Sequence, residues 1–179
     1  KKFLLNRLNN EEIKKVISNN SNINIQDNDI DFYISLGNGS IDSIVKLHKY
    51  ESKTLYKKIC NFIKNIKEIY LKECNLLTNE FLSGNYKENS YYIFFKLLNG
   101  IILKSIKLRE GIPFSYSIEE EKQAIKILNN VNQVSLINFL DNLNLNYYNF
   151  NTLNLDLKNT IYSSIINIYK LILISKKYE

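Results

Sequence analysis

The chain has 179 residues, 45% of them hydrophobic and 23% charged, with a net charge of +6 and a pI of about 9.1. That is enough chain to bury a real core in one large or two small domains, with a composition ordinary for a soluble globular protein. One Pro and five Gly exclude a sandwich or barrel of short strands, and two Cys with a single His exclude a disulfide framework or a zinc set.

Helix punctuation recurs along the whole sequence. Asn9 and Glu12 have the spacing of an N-cap and its returning carboxylate, predicting a helix with Ile13, Val16 and Ile17 on one face that fades in the polar stretch 19–24. Asp27 is the expected cap of a second helix, which turns Ile30, Phe32 and Ile34 inward and is stopped by Gly37. Ser40 caps a third, with Ile41, Ile44, Val45 and His48 at helical spacing. Three short helices in the first 50 residues predict a small bundle.

From residue 51 the pattern lengthens. Leu55, Ile59, Phe62, Ile63 and Ile66 recur at three and four residues, predicting an amphipathic helix that ends near Leu71. A shorter helix is expected over 76–82, stopped by Gly84. The segment 88–109 is apolar on most sides and is expected at the centre of a second bundle, ended by Gly111 and Pro113. Lys96, Gly100, Lys104 and Lys107 interrupt or flank its apolar run, so a core helix fits better than a membrane span. Ser117 and Glu120 have capping-box spacing before a helix that turns Ala124, Ile125 and Leu128 inward. Helices over 131–143 and 155–175 complete the chain. No alternating strand pattern appears, and the expected class is all-α.

Catalytic chemistry finds no constellation of residues. The carboxylates sit at helix starts, as Glu119 to Glu121 do, or alternate with Lys, which is what capping and solvation ask for. His48 falls near the end of a helix, where a cation is favoured, and reads as structural. Tyr91, Tyr92, Phe94 and Phe95 cluster in the most apolar helix, so core packing is their expected use rather than base stacking. Lys is scattered along helical faces and Arg occurs only at Arg7 and Arg109, a poor supply of phosphate forks. The Gly37-Asn38-Gly39-Ser40 turn before an apolar helix raises the question of a phosphate cradle. Walker, heptad and zinc spacings are absent.

Three segments carry a family resemblance. "FLLNRLNNEEIKKVI" resembles the strand exit and first lid helix of AAA+ clamp-loader subunits. "DFYISLGNGSIDSIVKL" resembles that family's lid signature, with Gly39, Ser40, Ile44 and Leu47 on its Gly, Ser, Ala and Leu. "FNTLNLDLKNTIYSSIINI" is similar, around Asn154, Leu155 and Asp156, to the segment that closes the helical collar in alphaproteobacterial delta-prime subunits of DNA polymerase III. Between them, "YYIFFKLLNGIILKSIKL" has the place and character of the collar's long central helix.

The resemblance implies a three-helix AAA+ lid over 1–50 and a helical collar over 51–179, the C-terminal region of a non-motor clamp-loader subunit. It implies assembly with the motor and delta subunits through the collar, DNA contacted only indirectly, and a bacterial cytoplasmic setting. A start at Lys1 with no Met anywhere is expected of a piece cut from something longer, without a leader. No cofactor, metal or catalytic residue is expected. Motor subunits carry an Arg early in the third lid helix, whereas this chain has Asp42 there. A carboxylate facing a phosphate charge is repelled by about 4 kcal/mol at 4 Å and an effective dielectric near 20. The rival class is a freestanding helical nucleic-acid-binding module, suggested by the +6 charge and thirteen Tyr, whose binding would weaken steeply with salt. A small-molecule enzyme ranks last, for want of a nucleophile–base pair or metal set.

Overall fold

The computed structural model describes residues 8–20, 23, 25–66, 71–83 and 89–175, and these form nine α-helices and no strand. The chain is all-α. It divides into two compact units, Lys1–Lys53 and Thr54–Glu179; the sequence placed the divide after residue 50. Residues 3–7 of the first resembling segment, residues 21, 22 and 24 of the polar stretch, and the expected markers Gly84 and Glu88 lie outside the described residues.

The first unit holds α1 (Asn10–Ser18), α2 (Asp27–Gly37) and α3 (Ile41–Lys49). At the start of α1, Glu12 N–H donates to Asn9 Oδ1 at 2.9 Å and Asn9 N–H donates to Glu12 Oε2 at 2.8 Å. That is the capping box the spacing predicts. Ile13 and Ile17 are buried, but Val16 is 40% exposed. A nine-residue helix lying mainly against α2 covers only a narrow stripe, and Val16 falls off its edge. The second helix starts one residue earlier than expected. Gln26 stands at its N-cap position without a side-chain cap, and Asp27 is already helical. Ile30, Phe32 and Ile34 are buried as predicted, joined by Tyr33 and Leu36. His48, in the last turn of α3, packs edge-on against Tyr33 with 5.3 Å between ring centres. Its ring serves packing at a helix end where positive charge is favoured.

The second unit holds most of α4 (Ser52–Lys64), whose first turn spans the divide, and then α5 (Leu71–Leu82), α6 (Ser90–Arg109), α7 (Glu119–Leu128), α8 (Gln133–Leu153) and α9 (Leu157–Ser175). The long helix expected to reach Leu71 instead ends at Lys64, and Leu71 opens α5. α6 packs against α5, α7, α8 and α9, with Tyr91, Phe94, Leu97, Leu98, Ile101 and Ile102 all buried. The expected core helix is therefore the core helix. Gly111, at a φ of 69°, follows its end. Arg109 Nη2 then donates to the carbonyls of Leu128 at 2.7 Å and Val131 at 2.6 Å, tying the end of α6 to the turn that follows α7. α8 runs ten residues beyond the predicted stop at 143. Its second half is tied to α6 by ring contacts: Tyr147 stacks on Phe95 at 4.1 Å and Phe150 tilts against Tyr91 at 4.5 Å.

Candidate functional site

The Gly37-Asn38-Gly39-Ser40 turn joins α2 to α3. Gly37 ends α2, and a Cβ there would lie 2.3 Å from Ile44 Cγ1, far inside van der Waals contact. The residue that leaves the helix is Asn38, at φ 56° and ψ 40°, followed by Gly39 at φ 80°. Asn tolerates that left-handed conformation and Gly takes it freely, which is why the pair suits a helix stop. Ser40 Oγ accepts from Ser43 N–H at 3.3 Å, so the first turn of α3 is capped by the protein itself. Ile44 and Leu47 are wholly buried. Asp42 is exposed in the first turn, complementing the helix dipole and meeting Lys46 Nζ at 2.9 Å. Gly39, Ser40, Ile44 and Leu47 thus each serve backbone geometry or packing, and the side chain offered where a sensor Arg would stand is a carboxylate.

Asn154, Leu155 and Asp156 belong to the second unit and form the turn between α8 and α9. Asn154 is the left-handed C-cap of α8 at φ 50°, Leu155 is 40% exposed, and Asp156 Oδ1 accepts from Asn159 N–H at 2.7 Å. These three residues are a stop, a bridge and a start. Asp156→Ala is expected to destabilise the unit by about 1 kcal/mol through the lost cap, read as a lower urea midpoint at unchanged slope.

A buried polar cluster was missed. Glu121 in α7 is 0% exposed, with Lys104 Nζ of α6 2.6 Å from its Oε1 and Tyr56 Oη of α4 donating to the same oxygen at 2.6 Å. Ser117 N–H donates to Oε2, and Lys104 Nζ also reaches Ser117 Oγ at 3.1 Å. The carboxylate that returns to Ser117 is therefore Glu121 and not Glu120, and α7 starts at Glu119 with Ile118 at the N-cap. Glu120 instead meets Lys57 at the surface, at 2.8 Å. Burial, reinforced by the Glu121 charge, pushes the Tyr56 hydroxyl and the Cys60 thiol well above their ordinary ranges. Cys60 is also 0% exposed, an enclosed thiol with the character of a packing residue. The available signal was Lys104 itself, set between Ile102 and Ile106 of the core helix, since a cation buried there requires an anion.

The most unusual surface lies on α8. Val134, Ile137, Leu145 and Tyr148 are 64%, 38%, 54% and 65% exposed. At 100° per residue they fall, with exposed Asp141, inside an arc of about 80° running some 20 Å along the helix. Leu136, Phe139 and Leu143 are buried on the opposite side, so α8 is apolar on two faces and only one is covered. Beside the stripe, Asn138, Asn142 and Asn146 line an open groove of about 520 Å³ shared with Ser164, Asn167 and Leu171 of α9.

Among the described residues no group of three or more His, Cys, Asp or Glu could hold a metal ion, and no helix is long and apolar enough to cross a membrane. Cys60 and Cys74 are buried and free. Of the four clustered rings, Tyr91, Phe94 and Phe95 are buried and Tyr92 is half-buried, packed in the core as the sequence suggests. Comparison of the chain with models of protein families, with curated proteins and with solved structures finds no match.

Proposed function

We propose that the chain is a non-catalytic assembly module that docks helix against helix within a larger complex, and that the complex is a bacterial, cytoplasmic clamp loader of the DNA polymerase III type. The observation that carries the assembly reading is the uncovered apolar stripe of α8, set on a helix whose other face is already buried. Exposed apolar side chains held on one face of a helix by a packed bundle suit a contact surface better than a reaction site. The identity of the complex rests on the sequence resemblance alone: the lid-like turn at Gly39 and Ser40, the collar-like close at Asn154 to Asp156, and their order along the chain.

In this reading the 54–179 unit is the collar and the 1–53 unit the lid. The partners are the motor and delta subunits, and DNA is met only through the assembled machine. Asp42, paired with Lys46, fits a member that does not sense nucleotide. Size exclusion of the folded chain mixed with motor and delta subunits tests the proposal. Co-elution at micromolar concentration is the expected outcome. Separate elution of folded components would remove the clamp-loader identity.

A further inference from the structure

The α8 stripe has a charge at its centre. Asp141 is the single charged residue of the 21-residue helix Gln133–Leu153, and it forms no ion pair among the described residues. It stands seven residues from Val134 on one side and seven from Tyr148 on the other, on the same face as Ile137 and Leu145. Two consequences follow from that placement.

Self-pairing is disfavoured. A two-fold antiparallel contact centred on the stripe would set Asp141 against its own copy, two like charges in the driest part of the interface. A cation, by contrast, is asked for. A partner helix laying Lys or Arg over Asp141, with Leu, Ile or aromatic residues three and four positions to either side, neutralises the carboxylate while it covers the apolar stripe. The row of Asn138, Asn142 and Asn146 along one edge supplies uncharged hydrogen-bonding groups for that helix's polar flank, the usual rim of such a contact.

We infer that the exposed face of α8 docks an amphipathic helix of a different chain, one with a single basic residue at the centre of its apolar stripe. Asp141 selects that partner and rejects a second copy of this chain. The inference deepens the assembly reading and rests on it, but not on the identity of the complex. One helix-on-helix contact is small, below about 1,200 Å² in total, so its affinity alone is expected in the micromolar range.

The probe is a synthetic, end-capped amphipathic helical peptide of about 20 residues, with Leu and Ile at three-and-four spacing and Lys at the centre; its control carries Glu there. Fluorescence anisotropy with the full chain is expected to give tens-of-micromolar binding of the Lys peptide and at least ten-fold weaker binding of the Glu peptide. The gap should narrow with salt and reverse in Asp141→Lys. Leu145→Asp is expected to abolish binding of the Lys peptide, with circular dichroism confirming an unchanged fold. Equal binding of the two peptides, or no binding below 1 mM, would overturn the inference. So would self-association of the native chain over the same range that Leu145→Asp removes. Because no clamp-loader subunit is present, failure here leaves the identity of the complex to the co-elution experiment, and failure there leaves Asp141 selectivity standing.

Discussion

Replacing Lys104 by Met is expected to lower the unfolding free energy of the Thr54–Glu179 unit by about 3–5 kcal/mol, the cost of leaving a buried charge without its partner. Glu121 would keep only the Tyr56 hydroxyl and the Ser117 N–H, both dipoles, in a site from which water is excluded. The cluster's net worth is a separate question from its fragility. Two ions desolvated together recover little more than their desolvation cost, so removing both charges harms less than removing one. Lys104→Met combined with Glu121→Leu therefore regains much of the loss, less the hydrogen bonds that the Tyr56 hydroxyl and the Ser117 N–H make to the carboxylate, about 1 kcal/mol each. The double variant is expected to unfold in urea between the native midpoint and that of the single variant, which lies far below. A single variant within about 1 kcal/mol of native would show that Glu121 is not held as a buried charge, for then nothing would be left uncompensated.

Gly37→Ala is expected to destabilise the Lys1–Lys53 unit by about 1–3 kcal/mol. The added methyl would sit 2.3 Å from Ile44 Cγ1 and 3.1 Å from its Cδ1. Ile44 is fully buried, so it can retreat only by displacing its neighbours. Ile44→Ala alone opens a cavity and costs about 2–5 kcal/mol. Together the two changes exchange volume across one contact, and their combined cost is expected to fall short of the sum by about 0.5–3 kcal/mol. Strict additivity of the double variant would show that Gly37 is there for some reason other than the close approach of α2 to α3.

How much of this could be read from residues alone depends on whether the controlling contact is local. Caps and stops are local, and Asn9, Ser40 and the Gly37–Ser40 turn act where their spacing puts them. The abundance of Asn proved informative there, since Asn38 and Asn154 take left-handed stops and Asn9 and Asn132 take N-caps. The end of α4 at Lys64 was not legible because the apolar spacing continues through Cys74, Leu77 and Phe81 with no Gly or Pro before α5. The extra turns of α8 were hidden by the five Asn between 142 and 151, poor helix formers held helical by Tyr147 and Phe150 against α6. Glu121 sits in a row of three glutamates, and only the register of α7 against α6 decides which one is buried. The α8 stripe was invisible for the same reason: its residues look like core until the bundle shows which face is already full.

The central claim is that the chain works by docking through α8. The most direct measurement compares the affinity of a clamp-loader motor subunit for the native chain and for Leu145→Asp/Tyr148→Asp, two exposed positions whose change is expected to leave the fold intact. Central apolar anchors cost about 2 kcal/mol or more each when replaced. Micromolar or tighter binding of the native chain is expected, weakened at least about 100-fold in the double variant while its circular dichroism and urea midpoint stay native. A double variant that binds as tightly as the native chain would contradict docking through α8.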